Sequence, residues 1–388
     1  MAIVMVTGVH GCARHPAVSR VQSEISTLQY CILKPGIHGA NCSEESKVGR
    51  SGAAVPSPFV SPFLANDRMR LLDTRNITVV DEFFENNTPE YAILSHTWGN
   101  EEVTFQDLQN SNAYTKSGYD KIKKTCETAR KDGYNYAWVD TCCIDKSSSA
   151  ELSEAINSMF RWYRQAAVCY VYLSDVDGNV DVSSGEFELR FSESKWFTRG
   201  WTLQELIAPS KLVFFTADWS PLRERAELSS LICRITGIAE KFLRNRGGAH
   251  IDQLIGQASI AERMSWASAR QTTRIEDVAY SLLGIFEVNM PLLYGEGDRA
   301  FIRLQHEIAR QSSDQSLFAW RYGNRTPDAG PRGIFAGSPA AFSGSGDIVP
   351  FEVESNIPPF SVTNRGLHIT MPIYLENVYR TDLASPQS

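Results

Sequence analysis

"YAWVDTCCIDKSSSAELSEAINSMFRWYRQAAVCYVYL", residues 136–173, decides the fold class because it joins two apolar runs through one helix. Residues 136–144 and 168–173 are short and apolar, as buried strands are. Between them, Ser148 and Glu151 have the S-x-x-E spacing of a capping box, which marks a helix N-terminus. The helix has one apolar face, formed by Leu152, Ile156, Met159, Phe160 and Tyr163. Strand, helix and strand in this order predict two parallel strands with a crossover helix.

The same alternation extends to both sides of this unit. Upstream, YAILSH (91–96) is an apolar run of strand length, and residues 118–133 have a helical stripe that Gly133 ends. Downstream, WFTRGWTLQELIAPSKLVFF (196–215) predicts a short helix followed by a buried strand at 211–215. We therefore expect an α/β fold, with a parallel sheet flanked by helices. In such sheets, ligands bind beyond the carboxyl ends of the strands.

The composition changes along the chain and predicts four segments. Residues 1–68 are rich in Ser, Gly and Pro without a helical or strand period, so we expect a disordered extension. The α/β domain is expected at 69–220, and a mainly helical region, packed on it or following it, at 221–325. Residues 326–388 have short alternating runs among Gly, Pro and Ser. They predict a β-rich or irregular tail, which is compatible with truncation.

The bulk composition argues against several classes of protein. The chain of 388 residues carries a net charge of −7 and has no basic run, so we expect no binding to nucleic acid. It has no apolar run near the ~20 residues of a membrane span. Its 8 cysteines include no CxxC pair, which favours free thiols and a cytoplasmic location. The P-loop, GxGxxG and HExxH patterns are absent, and we expect neither a metal site nor a required cofactor.

Four stretches occur in an order and spacing that carry a family resemblance: YAILSHTWG, YAWVDTCCIDK, AINSMFRWYRQAAVCYVYLSDV and RGWTLQELIAP. Over roughly residues 90–220 the chain resembles the fungal heterokaryon-incompatibility (HET) domain. Residues 258–320 look like the segment that commonly follows this domain. The resemblance implies a fungal cytoplasmic protein that acts in non-self recognition and programmed cell death.

The HET domain is in turn similar to Toll/interleukin-1 receptor (TIR) domains, which have a flavodoxin-like parallel sheet. Several TIR domains cleave NAD at the nicotinamide–ribose bond, and their catalytic glutamate lies on a helix in a pattern that resembles W-x-x-x-E. Here that pattern runs from Trp201 to Glu205 and is followed by an apolar strand. An insertion at 174–195, before the helix, departs from the TIR pattern. The resemblance implies that Glu205 is the catalytic residue and that NAD is the substrate.

Further side chains near the predicted strand ends are candidates for binding NAD. Trp98 or Trp201 would stack on an aromatic ring of the substrate, and Arg199 would meet its diphosphate. Asp140 would bind a ribose, and His96 would lie near the same crevice. The full set of candidate binding residues is Ser95, His96, Trp98, Asp140, Arg199 and Trp201.

Each of these candidates also has a structural interpretation. Glu205 could be a carboxylate on the helix surface that pairs with Arg199. Trp201 could anchor the helix to the sheet as part of the core. His96 could be a hydrogen-bonded residue at a strand end, and Asp140 could cap the loop that follows it.

Two functions from different classes therefore remain open. The first is a cell-death effector that hydrolyses NAD once self-association assembles its site. The second is a non-enzymatic interaction module that triggers cell death by recruiting partners. Either function would need another protein as its trigger. The sequence contains no recognisable sensor domain from which this trigger could be identified.

Overall fold

The computed structural model describes most of the chain from residue 68 to residue 321 and parts of its two ends. The described ranges are 5–6, 68–84, 87–110, 112–179, 181–244, 251–321, 333–349, 360–363 and 366–369. The expectation of a disordered extension at 1–68 falls almost entirely outside them. The chain divides into two compact units, one of residues 1–40, 326–334 and 351–388, the other of 41–325 and 335–350.

The first unit contains a small sheet of three strands. Strand β1 (Met5–Val6) runs parallel to β10 (Gly366–Ile369). Strand β10 in turn pairs antiparallel with β9 (Ser361–Thr363). Two of these three strands fall in the segment 326–388, for which the sequence predicts a β-rich or irregular tail. Most of that segment lies outside the described residues, so the prediction stays a prediction.

The second unit is built on a sheet of seven strands. These are β2 (Arg68–Asp73), β3 (Thr78–Phe84), β4 (Tyr91–His96), β5 (Tyr136–Trp138), β6 (Val168–Tyr172), β7 (Leu212–Phe215) and β8 (Pro221–Glu224). Their order across the sheet is β3-β2-β5-β4-β6-β7-β8. Strands β5, β4, β6 and β7 are mutually parallel, whereas β2, β3 and β8 pair antiparallel with their neighbours.

The predicted α/β class is confirmed, but the sheet is mixed rather than wholly parallel. Short turns cause the difference. Residues 74–77 join β2 to β3 and residues 216–220 join β7 to β8. Parallel neighbours need a long crossover, so a short turn can only place its two strands antiparallel. The antiparallel strands form the two edges, and the parallel core is the part that positions the site.

Strand β4 lies at the centre of the parallel core. All of its residues are buried, because helices cover both faces of the sheet. The next strand in the chain, β5, pairs on one side of it, and β6 pairs on the other. The strand order therefore reverses at β4. Open α/β sheets bind ligands at such a reversal, outside the carboxyl ends of the strands, and here that end is Ser95 and His96.

Five helices accompany the sheet. They are α1 (Phe105–Gln109), α2 (Tyr119–Lys131), α3 (Ser149–Gln165), α4 (Gly185–Ser192) and α5 (Thr202–Ile207). Half of the predicted capping box is present: the Ser148 hydroxyl accepts a hydrogen bond from the Glu151 amide, whereas the Glu151 carboxylate accepts from the Asp145 amide and from Arg70 instead. Gly133 follows α2 with φ 91°, a conformation that glycine adopts without steric cost. Helix α4 lies inside the polar insertion at 174–195, where the sequence analysis predicts no helix.

The region after β8 is mainly helical in its described part. Its helices are α6 (Ser229–Thr236), α7 (Glu240–Leu243), α8 (Ile251–Ile255), α9 (Ile260–Trp266), α10 (Asp277–Tyr280) and α11 (Arg299–Gln311). Residues 335–349 return to it, and the buried Gln305 side chain exchanges two hydrogen bonds with the backbone of Ala336. Within the described ranges, no helix has the length and apolarity required to cross a membrane.

Candidate functional site

Glu205 lies in α5, a short helix whose residues are all buried. Its carboxylate lies beside the end of β4, where the Ser95 hydroxyl donates a hydrogen bond to Oε2 at 2.5 Å. Ser95 in turn accepts a hydrogen bond from the indole Nε1 of Trp196 at 2.8 Å. Only 7% of Glu205 is exposed, so the carboxylate is held inside the protein at the carboxyl edge of the sheet.

The surroundings of Glu205 disfavour its ionised form. Burial raises the pKa of this carboxyl to about 8, from an ordinary value of 4.5. The hydrogen bond from Ser95 opposes this rise, the nearby Asp140 adds to it, and the charge of Arg270 and the Tyr163 hydroxyl oppose it. A carboxyl that titrates near neutral pH can both stabilise positive charge and exchange a proton, which most surface glutamates cannot do.

His96 is next to Ser95 but points to the opposite face of β4, because side chains alternate along a strand. Its side chain is 1% exposed, and its Nε2 lies 3.7 Å from Oε2 of Glu102. The other oxygen of Glu102 accepts hydrogen bonds from Lys121 Nζ and from the Gly99 amide, both at 2.6 Å. Burial acts against the ionisation of Glu102, but His96, Lys121 and Gly99 outweigh it and lower its pKa to about 2.

Asp140 lies between these two faces, at the end of β5. Its Oδ2 accepts a hydrogen bond from Trp98 Nε1 at 2.9 Å, and its Oδ1 lies 3.9 Å from His96 Nδ1. The ammonium of Lys146 lies 3.7 Å from the centre of the Trp98 ring and 3.9 Å from Asp140 Oδ2. Trp98 is 53% exposed, so it offers solvent an aromatic surface at the margin of the site.

Arg199 and Trp201 turn toward the helical region instead. The Arg199 guanidinium donates a hydrogen bond to the Thr273 hydroxyl at 3.3 Å. Trp201 is partly buried and donates to Asp277, a contact that lowers the pKa of this carboxyl against the larger effect of its burial. The structure therefore places Ser95 in contact with Glu205 and Asp140 near it, and it joins His96 and Trp98 to Asp140. It directs Arg199 and Trp201 elsewhere.

The sequence analysis misses several side chains that shape this site. Tyr163 was assigned to the apolar face of α3, yet its hydroxyl donates to the Leu94 carbonyl at 2.9 Å and also touches Glu205. A hydroxyl on an otherwise apolar stripe is the signal that would have identified it. Arg270 lies far along the chain, beyond the predicted α/β domain, and no local pattern links it to Glu205.

Several buried polar atoms around the sheet edge have no hydrogen-bond partner among the described residues. They are Nδ1 and Nε2 of His96, Oε2 of Glu102, Oγ1 of Thr141, Nε2 of Gln204 and Nη2 of Arg270. A buried polar atom without a partner costs roughly 1–3 kcal/mol, so native structures contain few of them. Two of them, Nε2 of His96 and Oε2 of Glu102, face each other at 3.7 Å, and the others retain hydrogen-bonding capacity.

The same edge offers neither a metal site nor a reactive thiol. Within the described ranges, no three His, Cys, Asp or Glu side chains are grouped so that they could hold a metal ion. Cys142 follows Asp140 closely, but it is fully buried, and burial raises the pKa of its thiol well above the ordinary value. Such a thiol is a poor nucleophile. The chemistry of the site therefore rests on carboxylates, hydroxyls and the two basic residues Arg270 and Lys146.

Comparison with known proteins places this site in a family context. Residues 91–187 match the family model described as Heterokaryon incompatibility protein (HET), and residues 299–343 match a domain of unknown function, DUF8212. The matched HET segment includes Asp140 and the end of β4, whereas Glu205 follows it.

A curated relative extends the similarity. The chain is 47% identical over 250 residues to Vegetative incompatibility protein HET-E-1 of Podospora anserina, which covers 62% of this chain and 18% of that protein. The chain therefore spans less than a fifth of the relative's length. No solved structure matches it. The family model and this identity together show that the chain carries a heterokaryon-incompatibility (HET) domain at residues 91–187.

Proposed function

We propose that this protein is an effector of vegetative incompatibility that acts in non-self recognition and cell death by cleaving NAD at the nicotinamide–ribose bond. The role in vegetative incompatibility is carried over from the name of the relative, with which the chain shares 47% identity over 250 residues. Non-self recognition and cell death are what the HET resemblance implies. The reaction is argued from the site. NAD is the substrate in this proposal, and no cofactor is required.

One observation carries the enzymatic proposal. A buried glutamate, Glu205, lies at the carboxyl end of the strand where the sheet order reverses, and its pKa is raised to about 8. Both features are typical of catalytic carboxylates. The parallel core adds support for a TIR-like fold, because its strands follow the order 2-1-3-4 in chain sequence, as flavodoxin-like sheets do.

The reaction needs one well-placed carboxylate. Water adds its oxygen to the anomeric carbon of the nicotinamide ribose as the carbon–nitrogen bond breaks. The bonding electrons leave with the ring nitrogen, so the cationic pyridinium departs as neutral nicotinamide and needs no acid. Positive charge develops on the ribose in an oxocarbenium-like transition state. Ionised Glu205 would stabilise this charge and accept the proton that water loses.

The neighbouring side chains fit the remaining tasks. Ser95 orients the Glu205 carboxylate through its hydrogen bond. Asp140 lies close enough to meet a ribose hydroxyl, and the exposed Trp98 ring beside it can stack on a base. His96, whose nitrogens lie 3.7 Å from Glu102 and 3.9 Å from Asp140, would supply a further polar contact on the other face of β4. We assign these four residues to binding and Glu205 to catalysis.

The raised pKa gives the proposal a pH signature. The ionised form of Glu205 is the active one, and its pKa is about 8. Turnover should therefore be low near pH 6, rise as the pH approaches 8, and level off above it. A binding module without chemistry has no such profile.

The test is to follow NAD and nicotinamide by chromatography with the concentrated full chain, since the TIR resemblance predicts that self-association assembles the site. We expect nicotinamide release by the wild type, its loss in Glu205→Ala, and its retention in Glu193→Ala, which changes an exposed glutamate at the end of α4. No turnover in the assembled state, together with undiminished cell killing by Glu205→Ala, would favour the non-enzymatic module that recruits partners.

A further inference from the structure

The stretch that leads into α5 pairs with a distant segment of the helical region. The Gln271 amide donates to the Thr198 carbonyl at 2.7 Å, and the Gly200 amide donates to the Gln271 carbonyl at 2.8 Å. Together they form a parallel bridge between Arg199 and Gln271. The backbone immediately before the Glu205 helix is therefore fixed by residues outside the predicted α/β domain.

The fit between these two segments is close. A Cβ on Gly200 would lie 2.4 Å from the Thr272 methyl group, so only glycine permits this approach. The Arg199 side chain reaches Thr273, and the Trp201 indole reaches Asp277. Residues 270–277, which we call the clamp segment, therefore contact several consecutive residues before α5.

Arg270 begins the clamp segment and reaches the first turn of α5 itself. Its Nη1 donates to the Arg199 carbonyl and to the Thr202 hydroxyl, both at 2.8 Å. Its Nε donates to the Trp266 carbonyl at 3.3 Å, whereas its buried Nη2 has no partner among the described residues. The guanidinium thus connects the end of α9 to the start of α5 by hydrogen bonds, and its Nη2 is left as an additional donor.

The charge of Arg270 acts directly on Glu205. Burial lowers the pKa of the guanidinium to about 10, and the Glu205 carboxylate opposes this change. In return, Arg270 favours the ionised carboxylate of Glu205, against the effect of burial. Among the cations of the described residues, Arg270 has the largest effect on the pKa of Glu205. The Arg199 side chain contacts Thr273 instead.

We propose that Arg270 is a positioning residue for Glu205, so that the working site comprises the HET domain together with the clamp segment. Its hydrogen bonds fix where α5 begins, and its charge keeps the Glu205 carboxylate available in the ionised form. The effect on turnover rests on the proposed NAD cleavage. The effect on the charge state of Glu205 does not, and it can be measured without any substrate.

The test compares Arg270→Gln, Arg270→Lys and the control Arg274→Gln in the full chain. Arg274 is an exposed arginine of the same segment, and it lies 4.5 Å from the Tyr294 ring. The pKa of Glu205 is measured by NMR titration of protein with carboxyl-labelled glutamate, with the signal assigned by its loss in Glu205→Gln. We expect an upward shift of at least about one unit in Arg270→Gln, since a neighbouring opposite charge has effects of this size. Arg274→Gln should leave the pKa of Glu205 unchanged, and Arg270→Lys should keep this pKa close to the wild-type value.

Turnover is the second measurement. Arg270→Gln should lower kcat by about tenfold to a hundredfold, because small displacements of a catalytic group have such effects, and should leave KM nearly unchanged. Its pH profile should move upward, and Arg270→Lys should recover only part of kcat, because lysine cannot make the same set of hydrogen bonds. A folded Arg270→Gln with an unshifted Glu205 pKa and wild-type kcat would overturn the inference.

Two outcomes separate this inference from the proposed function. If the wild type releases no nicotinamide but the Glu205 pKa shifts as expected, NAD cleavage fails and the role of Arg270 stands. If Arg270→Gln does not fold, the test uses Thr202→Val. This substitution removes one acceptor of the guanidinium, together with the hydrogen bonds that the Thr202 hydroxyl donates to the Trp196 and Arg199 carbonyls. We then expect a severalfold loss of kcat at unchanged KM, and wild-type kinetics for Thr202→Val would count against the proposal.

Discussion

Two glutamates, Glu102 and Glu205, lie near the same edge of the sheet, on opposite sides of β4. The protein shifts the pKa values of their carboxyl groups in opposite directions. Glu102 contacts His96 and Lys121, and its pKa falls to about 2. Glu205 accepts a hydrogen bond from Ser95 without an ion pair of this kind, and burial raises its pKa to about 8.

The difference separates a carboxylate suited to a structural role from one suited to the proposed chemistry. A carboxylate that is held ionised by adjacent cations fixes the loop and helix around it, and it has little tendency to change its charge. A carboxyl whose charge is disfavoured can change its protonation state at physiological pH and is stabilised by a cationic ligand or transition state. We therefore assign chemistry to Glu205 and architecture to Glu102.

The largest expected effect tests this assignment through turnover. Glu205→Gln keeps the shape of the side chain and removes its charge, so NAD cleavage should fall by about 10³-fold, the scale of losing an electrostatic contact in the transition state. Glu102→Gln should change kcat by less than about threefold. Nicotinamide release at pH 8 measures both. Equal losses in the two variants would contradict the division of roles.

The second expected effect concerns the free energy of unfolding. Removing the charge of Glu205 should raise this free energy, whereas most substitutions lower it. The folded protein raises the pKa of Glu205 from 4.5 to about 8. Its contribution to the free energy of unfolding is therefore complete below about pH 4.5 and is lost as the pH rises to about 8. Glu205→Gln, which is neutral throughout, should be more stable than the wild type by about 4 kcal/mol at pH 8, since one pKa unit is worth about 1.36 kcal/mol.

Urea unfolding at pH 5 and at pH 8 checks this expectation. The two proteins should be nearly equal at pH 5 and should diverge at pH 8. Glu193→Gln is the matched control, because Glu193 is exposed at the end of α4 and should show no divergence. A destabilised Glu205→Gln at pH 8 would mean that the contacts of the ionised carboxylate with Ser95 and Arg270 outweigh the cost of its burial.

Glu102 should behave in the opposite way. Its pKa is lowered to about 2, so its stabilising effect is present above about pH 4.5 and is lost as the pH falls through about 2. Glu102→Gln should lower the free energy of unfolding by about 2 kcal/mol at pH 7, the value of hydrogen bonds to a charged group. The gap between variant and wild type should close on acidification, and urea midpoints between pH 7 and pH 3 measure it. If the difference in the free energy of unfolding stays the same at every pH, the substitution destabilises the protein through packing rather than through charge.

Much of the sheet could be predicted from the sequence. Strand β4 has the predicted bounds, 91–96, because a short continuous apolar run predicts a strand that is buried on both faces. Strand β5 ends at Trp138, well before the predicted 144. The amides of Cys142 and Cys143 both bond to the Val139 carbonyl, so the chain turns there. Asp140 owes its position at the sheet edge to this turn.

The site could be predicted only where its residues lie at strand ends. Ser95, His96 and Asp140 follow from the topology of a parallel sheet. The directions of the Arg199 and Trp201 side chains could not be predicted in this way. They depend on the bridge between Arg199 and Gln271, and Gln271 lies in the helical region, far along the chain. Contacts between distant segments leave no local periodicity, so the contribution of the clamp segment required the structure.

The smallest expected effect concerns Trp98, whose indole donates a hydrogen bond to Asp140. If the exposed ring stacks on the substrate, Trp98→Ala should raise KM for NAD by about tenfold and leave kcat nearly unchanged, since base stacking on an aromatic ring is worth about 1–3 kcal/mol. Trp98→Phe should retain most of the affinity, because phenylalanine keeps an aromatic face but cannot donate to Asp140. Tyr114→Ala, at a ring that is 72% exposed, is the control. An effect on kcat instead of KM would mean that Trp98 acts by orienting Asp140, and that Asp140 belongs with Glu205 rather than with the binding residues.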